Sequence, residues 1–346
     1  MVSKRATSFD VARLAGVSRT TVSFVLNDIP GVSISDATRQ RVMDAALQLN
    51  YHPDATARKL ARGRSNTIGF VMSQSAEQVF TDAFLIQVVL GVEQVAAQNG
   101  FHVLIKPVEP GTENGYTRLI YENLVDGIIL SGPREDDEEI IKLHQNGVPI
   151  MLQGQIPNSS IPFVDINAID GARAVSEHLI SIGHKRIGMV TNASLHYTSA
   201  CQRRDGYCQA LKNAGIAEEP GLIKEGNYTP ASGYEAMQSL LSSFPDMTAV
   251  FVASDVVAMG AIQAIKQAGL RIPQDIAVAG FDDIQLARYF DPPLTTVSLP
   301  AFGLGWAAGE RLIHVIQDEP LEQQELFLDS KLIIRNSTLL PQSLSI

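Results

Sequence analysis

The sequence of 346 residues contains only two cysteines and no long apolar run, and each absence narrows the class of protein. Cys201 and Cys208 form no CxxC pair and have no histidine at the spacing of a zinc site, so we interpret them as packed thiols of a reducing compartment. No stretch approaches the roughly 18 consecutive apolar residues of a membrane span. No basic segment followed by an apolar one opens the chain. These absences predict a soluble, cytoplasmic protein.

Catalytic motifs are missing as well. The patterns GxSxG, HExxH and GxxxxGK followed by Ser or Thr do not occur. A glycine-rich run at 303–309 follows a proline rather than a strand, which indicates close helix packing. We therefore expect no enzyme, no cofactor and no metal site. The histidines without carboxylate or cysteine partners at metal spacing are His144, His178, His184, His196 and His314.

Charge is distributed very unevenly along the chain, whose net charge is −10. Residues 1–64 contain ten Lys and Arg against five Asp, a net charge of +5, which leaves −15 for residues 65–346. A basic front segment is typical of nucleic-acid binding, because cationic side chains neutralise phosphates. The sequence therefore predicts a DNA-binding head attached to an acidic body.

The basic head has the pattern of three short helices. Thr7 begins a capping box for the first helix, and Gly16 supplies the turn that follows it. Ser18 caps a second helix over about 19–26. A third helix, from about residue 35, has apolar residues at the spacing that covers the first two. Two helices around one glycine turn predict a helix-turn-helix.

In such a motif the N-terminal part of the second helix enters the major groove. Arg19 and Thr20 are the exposed side chains there, and both can contact base edges, since arginine donates twice to guanine and threonine offers a hydroxyl and a methyl. The alternative is a three-helix interaction module that contacts no nucleic acid. The remaining polar side chains are candidate contacts to DNA phosphates, and they are Thr21, Ser23, Asn27, Arg39 and Arg41.

The segment after the head differs from an ordinary linker, since Pro53 and Gly63 bound about eight helix-prone residues. A helix this short does not persist alone in water and should form only when docked. It would place one leucine among small residues and arginines, which suits insertion into the minor groove. The alternative is a charged linker whose leucine rests on the core. The residues concerned are Ala57, Arg58, Leu60 and Arg62.

The acidic body alternates short apolar strands with amphipathic helices, which predicts parallel sheets. One series runs over about 67–130 and a second over about 186–279, so we expect two lobes. Ligands of open α/β sheets bind beyond the C-terminal strand ends, and two lobes that face each other there form a cleft. The predicted fold class is therefore α/β, with a helix-turn-helix headpiece and a two-lobed core of parallel sheets.

Polar residues close to the strand ends are the candidate ligand contacts. Planar side chains that both donate and accept hydrogen bonds suit a hydroxyl-rich ligand. For Asp255 and Asp283 an alternative is that they only cap the helices that follow. The candidates are Ser73, Gln74, Gln153, Asn192, Arg203, Ser254, Asp255 and Asp282.

A set of short motifs is spread over nearly the full chain. In the head these motifs are Asp10-Val11-Ala12, Ala15-Gly16-Val17-Ser18, Thr21-Val22-Ser23, Asn50-Tyr51-x-Pro53 and Ala57-Arg58-x-Leu60. In the body they are Val125-Asp126-Gly127, Gly183-His184-Lys185-Arg186, Arg203-x-x-Gly206-Tyr207, Ser254-Asp255, Gly280-Phe281-Asp282-Asp283 and Pro293-Leu294-Thr295-Thr296. This ordered set resembles the lactose/galactose repressor (LacI/GalR) family. The resemblance implies a headpiece, a hinge helix whose leucine wedges into the operator centre, and an effector-binding core similar to periplasmic sugar-binding proteins.

The resemblance also implies roles for individual residues in the core. It singles out Arg203 and Asp282 as effector contacts, with Ser73 and Ser254 behind them. It adds Phe84 as an apolar wall of the same site.

Two departures from the family pattern bear on specificity. Phe24 stands where the family usually carries arginine late in the recognition helix, so we expect apolar contact with a thymine methyl and an altered operator preference. Gln153 stands where many sugar-responsive members carry aspartate, and Asn167-Ala168 replaces a frequent Asp-Asn pair. The chemistry of the effector therefore stays open.

The expected organisation is a headpiece over 1–52, a hinge over 53–64 and an effector-binding and dimerisation core over 65–340. The core divides into a first lobe of about 65–166 and 300–325 and a second lobe of about 167–298 and 326–340. A two-fold homodimer is expected, because a single headpiece buries little area and a dimer matches a pseudo-palindromic operator. The few residues after the last strand are too short for a coiled-coil tail.

These observations predict a repressor that binds double-stranded DNA. Its operator affinity should change when a small effector binds between the lobes, and a sugar is the first candidate. One alternative is a regulator that needs a purine-like corepressor. Another is a cytosolic sugar-binding protein without DNA function. The salt dependence of binding to random DNA separates the last hypothesis from the other two, because only phosphate contacts give a steep negative slope.

Overall fold

The computed structural model describes residues 6–27, 31–51 and 64–339. The chain divides into two compact units, Met1–Ser65 and Asn66–Ile346. Within the described ranges no helix is long and apolar enough to cross a membrane. The hinge residues that the sequence singles out lie outside the described residues, and they are Ala57, Arg58, Leu60 and Arg62.

The described part of the first unit forms three helices: α1 (Ser8–Ala15), α2 (Arg19–Leu26) and α3 (Asp36–Gln48). The helix-turn-helix prediction is confirmed in α1 and α2, with Gly16 between them in the left-handed conformation at φ +65°. Small and β-branched side chains from all three helices close one core, which allows short helices to approach closely. This core contains Val11, Ala12, Ala15, Val22, Val25, Val42, Ala45 and Ala46.

Polar side chains satisfy the free backbone amides at the start of each head helix. Thr7 and Asp10 form a reciprocal capping box on α1, as the sequence predicts. Ser18 and Ser35 each accept a backbone N–H in the first turn of α2 and α3. Such caps each contribute about 1 kcal/mol, so three of them fix where these short helices begin.

A six-stranded parallel sheet forms the first lobe of the second unit, with the strand order β11-β5-β4-β3-β1-β2. Successive side chains of β1 enter different cores, since Phe70 and Met72 join one cluster and Val71 joins another. Burial on both faces explains why the inner strands β1, β3 and β4 are almost entirely apolar. The strands are β1 (Thr67–Met72), β2 (His102–Pro107), β3 (Gly127–Ser131), β4 (Ile150–Gln153), β5 (Phe163–Ile166) and β11 (Glu325–Leu328).

Helices between these strands complete the first lobe. Two of them, α5 and α12, pack against each other so closely that glycine is required at the contact. A Cβ at Gly305 would lie 1.9 Å from the oxygen of Val88, and one at Gly91 would lie 2.2 Å from that of Phe302. The glycine-rich run at 303–309 is therefore a helix-packing surface, as predicted. The helices are α4 (Ala76–Thr81), α5 (Ala83–Gln98), α6 (Thr117–Tyr121), α7 (Glu138–Gln145) and α12 (Ala301–Ile316).

The second lobe is a four-stranded parallel sheet of order β7-β6-β8-β9, joined by a short antiparallel pair, β10 and β12. Its strands are β6 (Ile187–Val190), β7 (Ile223–Lys224), β8 (Ala249–Val252), β9 (Ala277–Ala279), β10 (Thr296–Ser298) and β12 (Lys331–Ile333). Its helices are α8 (Ala168–Ser181), α9 (Thr198–Asn213), α10 (Pro230–Ser243) and α11 (Asp255–Gln267).

The chain crosses between the lobes three times, after β5, after β10 and after β11. The sequence places the last crossing at about residue 325, but Glu325–Leu328 pairs with β5 of the first sheet, so the chain leaves the first lobe only after Leu328. The error has a physical cause. β11 is an edge strand with exposed side chains at Glu325 and Phe327, so its apolar signal is weak.

Candidate functional site

The start of α2 presents the side chains that the sequence proposes as base readers. Arg19 and Thr20 are both exposed on the first turn of this helix. The guanidinium of Arg19 is held by Ser8 of α1, whose hydroxyl accepts the Nε–H at 3.3 Å. Phe24 lies one turn further along α2 and is half-buried, so part of its ring remains available to an apolar partner.

The proposed phosphate contacts do not all reach the surface. Thr21, Ser23 and Arg39 are half-buried and Arg41 is exposed, whereas the side chain of Asn27 is only 7% exposed. Asn27 ends α2, and its amide Nδ2 donates to the hydroxyl of Ser23 at 3.1 Å. The expectation that the Asn27 side chain contacts a phosphate is therefore corrected, because that side chain is turned into the end of its own helix.

A second candidate site lies in the two-lobed unit, at the C-terminal ends of strands from both sheets. It is a cavity of about 680 Å³, a volume that includes its open mouth. β4 and β5 supply residues from the first lobe, and the starts of α9 and α11 supply residues from the second. The polar and charged lining residues are Gln74, Asp82, Ser131, Gln153, Asp165, Asn192, Thr198, Ser199, Gln202, Arg203, Tyr228, Ser254 and Asp282.

The fold brings most of the predicted effector contacts to this one cavity. Sequence reasoning finds them because they follow strand ends or lie on the helix that begins there, and parallel strands end at a common edge. Gln74, which the sequence also marks, lines the wall as well. The predicted residues that line the cavity are Phe84, Gln153, Asn192, Arg203, Ser254 and Asp282.

Arg203 and Asp282 form the central ion pair of the cavity, with the guanidinium NH2 group 3.2 Å from the carboxylate of Asp282. Arg203 also donates to the backbone oxygen of Ala253, and its guanidinium lies 4.2 Å from the ring centre of Phe281. Both ionic side chains are less than a tenth exposed. Burial raises the pKa of Asp282, and the charge of Arg203 opposes that rise. The pair therefore holds a charged carboxylate in a site that would otherwise favour its protonated form.

Asp255 does not line the cavity, contrary to its inclusion among the predicted effector contacts. It is fully buried, and its carboxylate accepts the N–H of Ile284 at 3.0 Å and the hydroxyl of Thr296 at 2.8 Å. The start of α11 turns this side chain toward the loop after β9 rather than toward the cavity. Burial, with the nearby charge of Asp282, raises its pKa. Asp255 is a structural group that holds the loop carrying Asp282.

Ser73 is the second predicted contact that the structure places elsewhere. It lines a neighbouring cavity and its side chain is 1% exposed. Its backbone oxygen accepts the hydroxyl of Tyr197 at 2.5 Å. β1 ends at Met72, one residue before Ser73. Gln74, the residue after Ser73, instead lines the cavity that contains Arg203.

Among the described residues, seven polar ones that line the cavity were missed at the level of sequence. Three of them are Asp82, Asp165 and Tyr228, and the others are Ser131, Thr198, Ser199 and Gln202. Asp82 caps α5, accepting the N–H of Phe84 at 2.9 Å, and burial together with the charge of Asp282 raises its pKa to about 7. Asp82 carried a detectable signal, since an aspartate before an apolar helix is a typical cap.

Asp165 and Tyr228 carried no comparable signal. Asp165 lies within β5, where burial raises its pKa to about 6. Tyr228 lies in a loop at φ +55°, with its ring edge-on to that of Tyr197 at 5.4 Å between centroids. Neither position has the periodicity or the flanking residues that mark a binding site in a sequence.

Several polar atoms on the cavity wall are buried without a hydrogen-bond partner. They are Oε1 of Gln74, Oδ1 of Asn192 and Nε of Arg203. A buried polar atom that stays unpaired costs about 1 to 3 kcal/mol, so these atoms indicate a site that a polar ligand completes. Tyr228 and Phe84 add aromatic surface on the same wall, which suits the apolar faces of a ring.

Direct hydrogen bonds join the two lobes beside the cavity. The amide of Gln78 donates to Oδ1 of Asn227 at 2.8 Å, and the hydroxyl of Tyr197 bonds to Ser73 as above. The backbone N–H of Thr198 donates to the oxygen of Pro133 at 3.3 Å. The cleft is therefore closed in this structure. Among the described residues no cluster of His, Cys, Asp and Glu is arranged to hold a metal ion.

Two family models match parts of this chain. Residues 9–54 match the model of bacterial regulatory proteins of the lacI family. Residues 176–338 match the model of a periplasmic binding protein-like domain. The first match covers the helix-turn-helix, and the second covers most of the second lobe together with α12 and β11.

Whole-chain relatives extend both matches. The HTH-type transcriptional regulator CelR of Thermobifida fusca is 34% identical over 341 residues, which cover 96% of this chain and 98% of the relative. The HTH-type transcriptional repressor PurR of Haemophilus influenzae is 33% identical over 341 residues, again 96% of this chain and 98% of the relative.

Solved structures agree with these relatives. A lac repressor dimer bound to operator and the anti-inducer ONPF is similar with a TM-score of 0.83 and 31% identity, over 97% of this chain and all of that one. A complex of the transcriptional regulator CelR with cellobiose has a TM-score of 0.74 and 33% identity, over 96% of this chain and all of that one.

Proposed function

Because this chain belongs to the LacI family of bacterial regulatory proteins, we propose that it is a transcriptional repressor whose affinity for an operator is controlled by a sugar-like effector. One observation carries the proposal. The same chain combines an exposed Arg19-Thr20 pair on a helix-turn-helix with a closed, polar cavity at the strand ends of a two-lobed unit. The relatives that match over 96% of this chain are transcriptional regulators, and we assign this chain no catalytic role.

On the DNA side, Arg19 and Thr20 are proposed to contact base edges and Phe24 to contact a thymine methyl. Thr21, Ser23, Arg39 and Arg41 are proposed to contact phosphates, which fix orientation without reading sequence. The hinge role of residues 53–64 stays a prediction from sequence. Leu60 is its proposed wedge.

On the effector side, the cavity suits a ligand with many hydroxyl groups. Arg203 and Asp282 are held as a rigid donor and acceptor pair, and Gln153 and Asn192 add planar amides on opposite lobes. The solved complex of CelR with cellobiose supports a sugar as the ligand class. Phe84 is the proposed apolar wall.

We propose that the active form is a homodimer that acts on DNA in the cytoplasm, since the lac repressor was solved as a dimer on its operator. A two-fold dimer places two headpieces on successive half-sites about one helical turn apart. An effector that binds more tightly to one arrangement of the lobes shifts operator affinity, a coupling of about 1 to 3 kcal/mol in typical cases.

The test is a titration of operator binding with candidate effectors. An operator is first selected from a random DNA pool, and its affinity is then measured by fluorescence anisotropy with sugars and with purines at fixed salt. We expect at least one sugar to weaken binding about tenfold, which corresponds to about 1.4 kcal/mol. Tighter binding with a purine would instead establish the corepressor alternative, and failure to select any operator would contradict the DNA-binding role.

A further inference from the structure

The cavity wall has an unusual balance of charge. Among the described residues that line it, the acidic side chains are those of Asp82, Asp165 and Asp282, and the one basic side chain is that of Arg203. Each of the three acidic residues is 7% exposed. Three carboxyl groups are therefore concentrated at a site where water can hardly screen the charge that they carry when ionised.

The basic side chain among these lining residues, Arg203, already has partners within the protein. The guanidinium of Arg203 pairs with Asp282, donates to the backbone oxygen of Ala253 and stacks on Phe281. In the part of the chain that the structure describes, Asp82 and Asp165 form no salt bridge, and their hydrogen-bond donors are neutral. Asp82 accepts a backbone N–H, and Asp165 accepts the amide of Gln155 at 2.9 Å. Neither carboxyl group therefore has a cation of its own in contact among the described residues, and the charge of Arg203 reaches both only from a distance.

The helix starts around the cavity do not reverse this balance. A helix N-terminus favours anions, because its first N–H groups point outward unpaired. At the start of α5 this role is taken by Asp82 itself, and at the start of α8 it is taken by the side chain of Asn167. At α9 the N–H of Thr198 donates to the first lobe. At α5 and α8 a bound anion would therefore have to displace the side chain that already serves these amides.

The unmet hydrogen bonds of the wall point to the same class of ligand. Two of the three buried atoms without a partner are amide oxygens, on Gln74 and Asn192, and both residues are at most 3% exposed. Oxygen atoms of this kind only accept hydrogen bonds. Together with the carboxyl groups they require a ligand that donates, through hydroxyl or amine hydrogens.

We propose that this cavity selects a hydroxyl-rich ligand that is uncharged or positively charged and rejects the anionic form of the same compound, such as a phosphorylated or carboxylated sugar. The inference rests on the proposed function in taking the cavity as the effector site, and it names the class of effector. An incoming phosphate would meet Asp82 and Asp165 with no free cation among the described residues of the wall. A protonated amine would instead favour the ionised form of both carboxyl groups and be attracted by them.

The test uses matched sets of ligands on the full-length protein. Each set contains a neutral sugar, its amino derivative and its phosphate ester, with glucose, glucosamine and glucose 6-phosphate as one set and the cellobiose equivalents as another. Isothermal titration calorimetry should show the neutral or amino member binding at least 100-fold more tightly than the phosphate. Equal or tighter binding of the phosphate overturns the inference.

A variant pair assigns the selectivity to the two unpaired carboxyl groups. Asp82→Asn combined with Asp165→Asn should reduce the discrimination against the phosphate at least tenfold. The control Glu310→Gln removes one carboxylate from an exposed position on α12 and should leave the discrimination unchanged. Equal discrimination by the wild type and the double variant contradicts the assignment.

Two further readouts keep the result unambiguous. The comparison of matched ligands on the wild type supports or overturns the inference even where the double variant does not fold. Operator binding measured in the same samples reports separately on the regulator function. If operator binding is intact and no member of any set binds, the ligand class named here is wrong while the DNA-binding role stands.

Discussion

The hydroxyl of Tyr197 in the second lobe donates to the backbone oxygen of Ser73 in the first lobe over 2.5 Å. Tyr197 immediately precedes α9, the helix that carries Arg203. The guanidinium of Arg134, from the first lobe, lies 5.4 Å from the centre of the same ring. One tyrosine therefore ties the position of the ligand-binding helix to the closure of the cleft.

Replacing this tyrosine with phenylalanine tests that connection. Tyr197→Phe keeps the ring contacts but removes the hydrogen bond to Ser73. Such a hydrogen bond stabilises the closed cleft by about 1 kcal/mol. We expect effector affinity to fall about fivefold in isothermal titration calorimetry. Tyr234→Phe is the matched control, because its hydroxyl bonds to Gln267 within the second lobe. Equal effects of the two changes would show that Tyr197 does not couple the lobes.

Arg203 should be essential for the effector response but not for DNA binding. Arg203→Ala leaves Asp282 buried without its partner, which destabilises the body by about 3 kcal/mol. The headpiece is a separate compact unit, so we expect operator binding to persist at 20 °C while the effector no longer changes it. The measurement is operator anisotropy with and without effector.

The neighbouring arginine serves as the control for this change. Arg204 lies on the same helix and pairs with Asp205 beside it, and its side chain is 33% exposed. Arg204→Ala should retain a normal response. A normal response of Arg203→Ala would remove Arg203 from the effector site.

Arg19 should discriminate between DNA sequences. Arg19→Ala is expected to weaken binding to the selected operator by about 1 to 3 kcal/mol and to leave binding to random DNA nearly unchanged. Arg13→Ala removes an exposed arginine of α1 that pairs with Asp10, and it controls for the loss of one positive charge. Competition anisotropy with both DNAs measures the difference. Equal losses on the two DNAs would assign Arg19 to a phosphate instead.

Stability should depend on pH through Asp82. Its pKa is raised from 3.8 to about 7 by burial and by the charge of Asp282, with Arg203 opposing. The folded protein therefore holds a proton on Asp82 that the unfolded chain releases near pH 4. The stabilisation is fully present below about pH 4 and is lost as the pH rises through 7.

Replacing the titratable carboxyl group of Asp82 should make the melting temperature less dependent on pH. We expect the melting temperature of the wild type to fall between pH 5 and 8 and that of Asp82→Asn to fall less steeply. Some slope should remain, because burial also raises the pKa of Asp165 to about 6. Glu310→Gln should keep the wild-type slope. An identical slope in Asp82→Asn would show that this carboxyl group is ionised throughout the range.

The contact between α5 and α12 gives opposite predictions for two glycines of one helix. Gly305→Ala places a Cβ 1.9 Å from a backbone oxygen and should destabilise the protein by about 1 to 3 kcal/mol. At Gly303 the nearest atom is 3.5 Å away, so Gly303→Ala should stabilise α12 by up to about 1 kcal/mol. Urea denaturation measures both. A loss of stability in both variants would contradict the specific role of Gly305.

Much of the fold follows from local chemistry. The predicted second helix, 19–26, agrees with Arg19–Leu26 because Ser18 and the apolar spacing both act within one turn. The first series of strands and helices, predicted from about residue 67, does begin with β1 at Thr67, since burial on both faces leaves an unbroken apolar run. The edge strand β11 is harder to place, because half of its side chains face solvent.

The site was predictable only in part, for a related reason. Phe84, Gln153 and Asn192 are placed by the strands and helices beside them, so their common location follows from the topology. Asp255 and Ser73 also follow the ends of strands, but they do not line this cavity. Asp255 bonds to the loop after β9, and Ser73 lines a neighbouring cavity. Asp165 and Tyr228 reach the wall only through the packing of one lobe on the other. Such long-range packing leaves no local pattern.

The three crossings between the lobes have a consequence for the mechanical behaviour of the body. Two bodies joined by three covalent segments have few independent modes of relative movement. Ile166 and Ala168 flank the first crossing, Leu299 lies in the second, and all three line the cavity. A ligand in the cavity therefore lies against the crossing segments, which must flex when the lobes move. The size and stiffness of the bound ligand, and not only its polar groups, should therefore determine how far the two lobes can still move relative to each other.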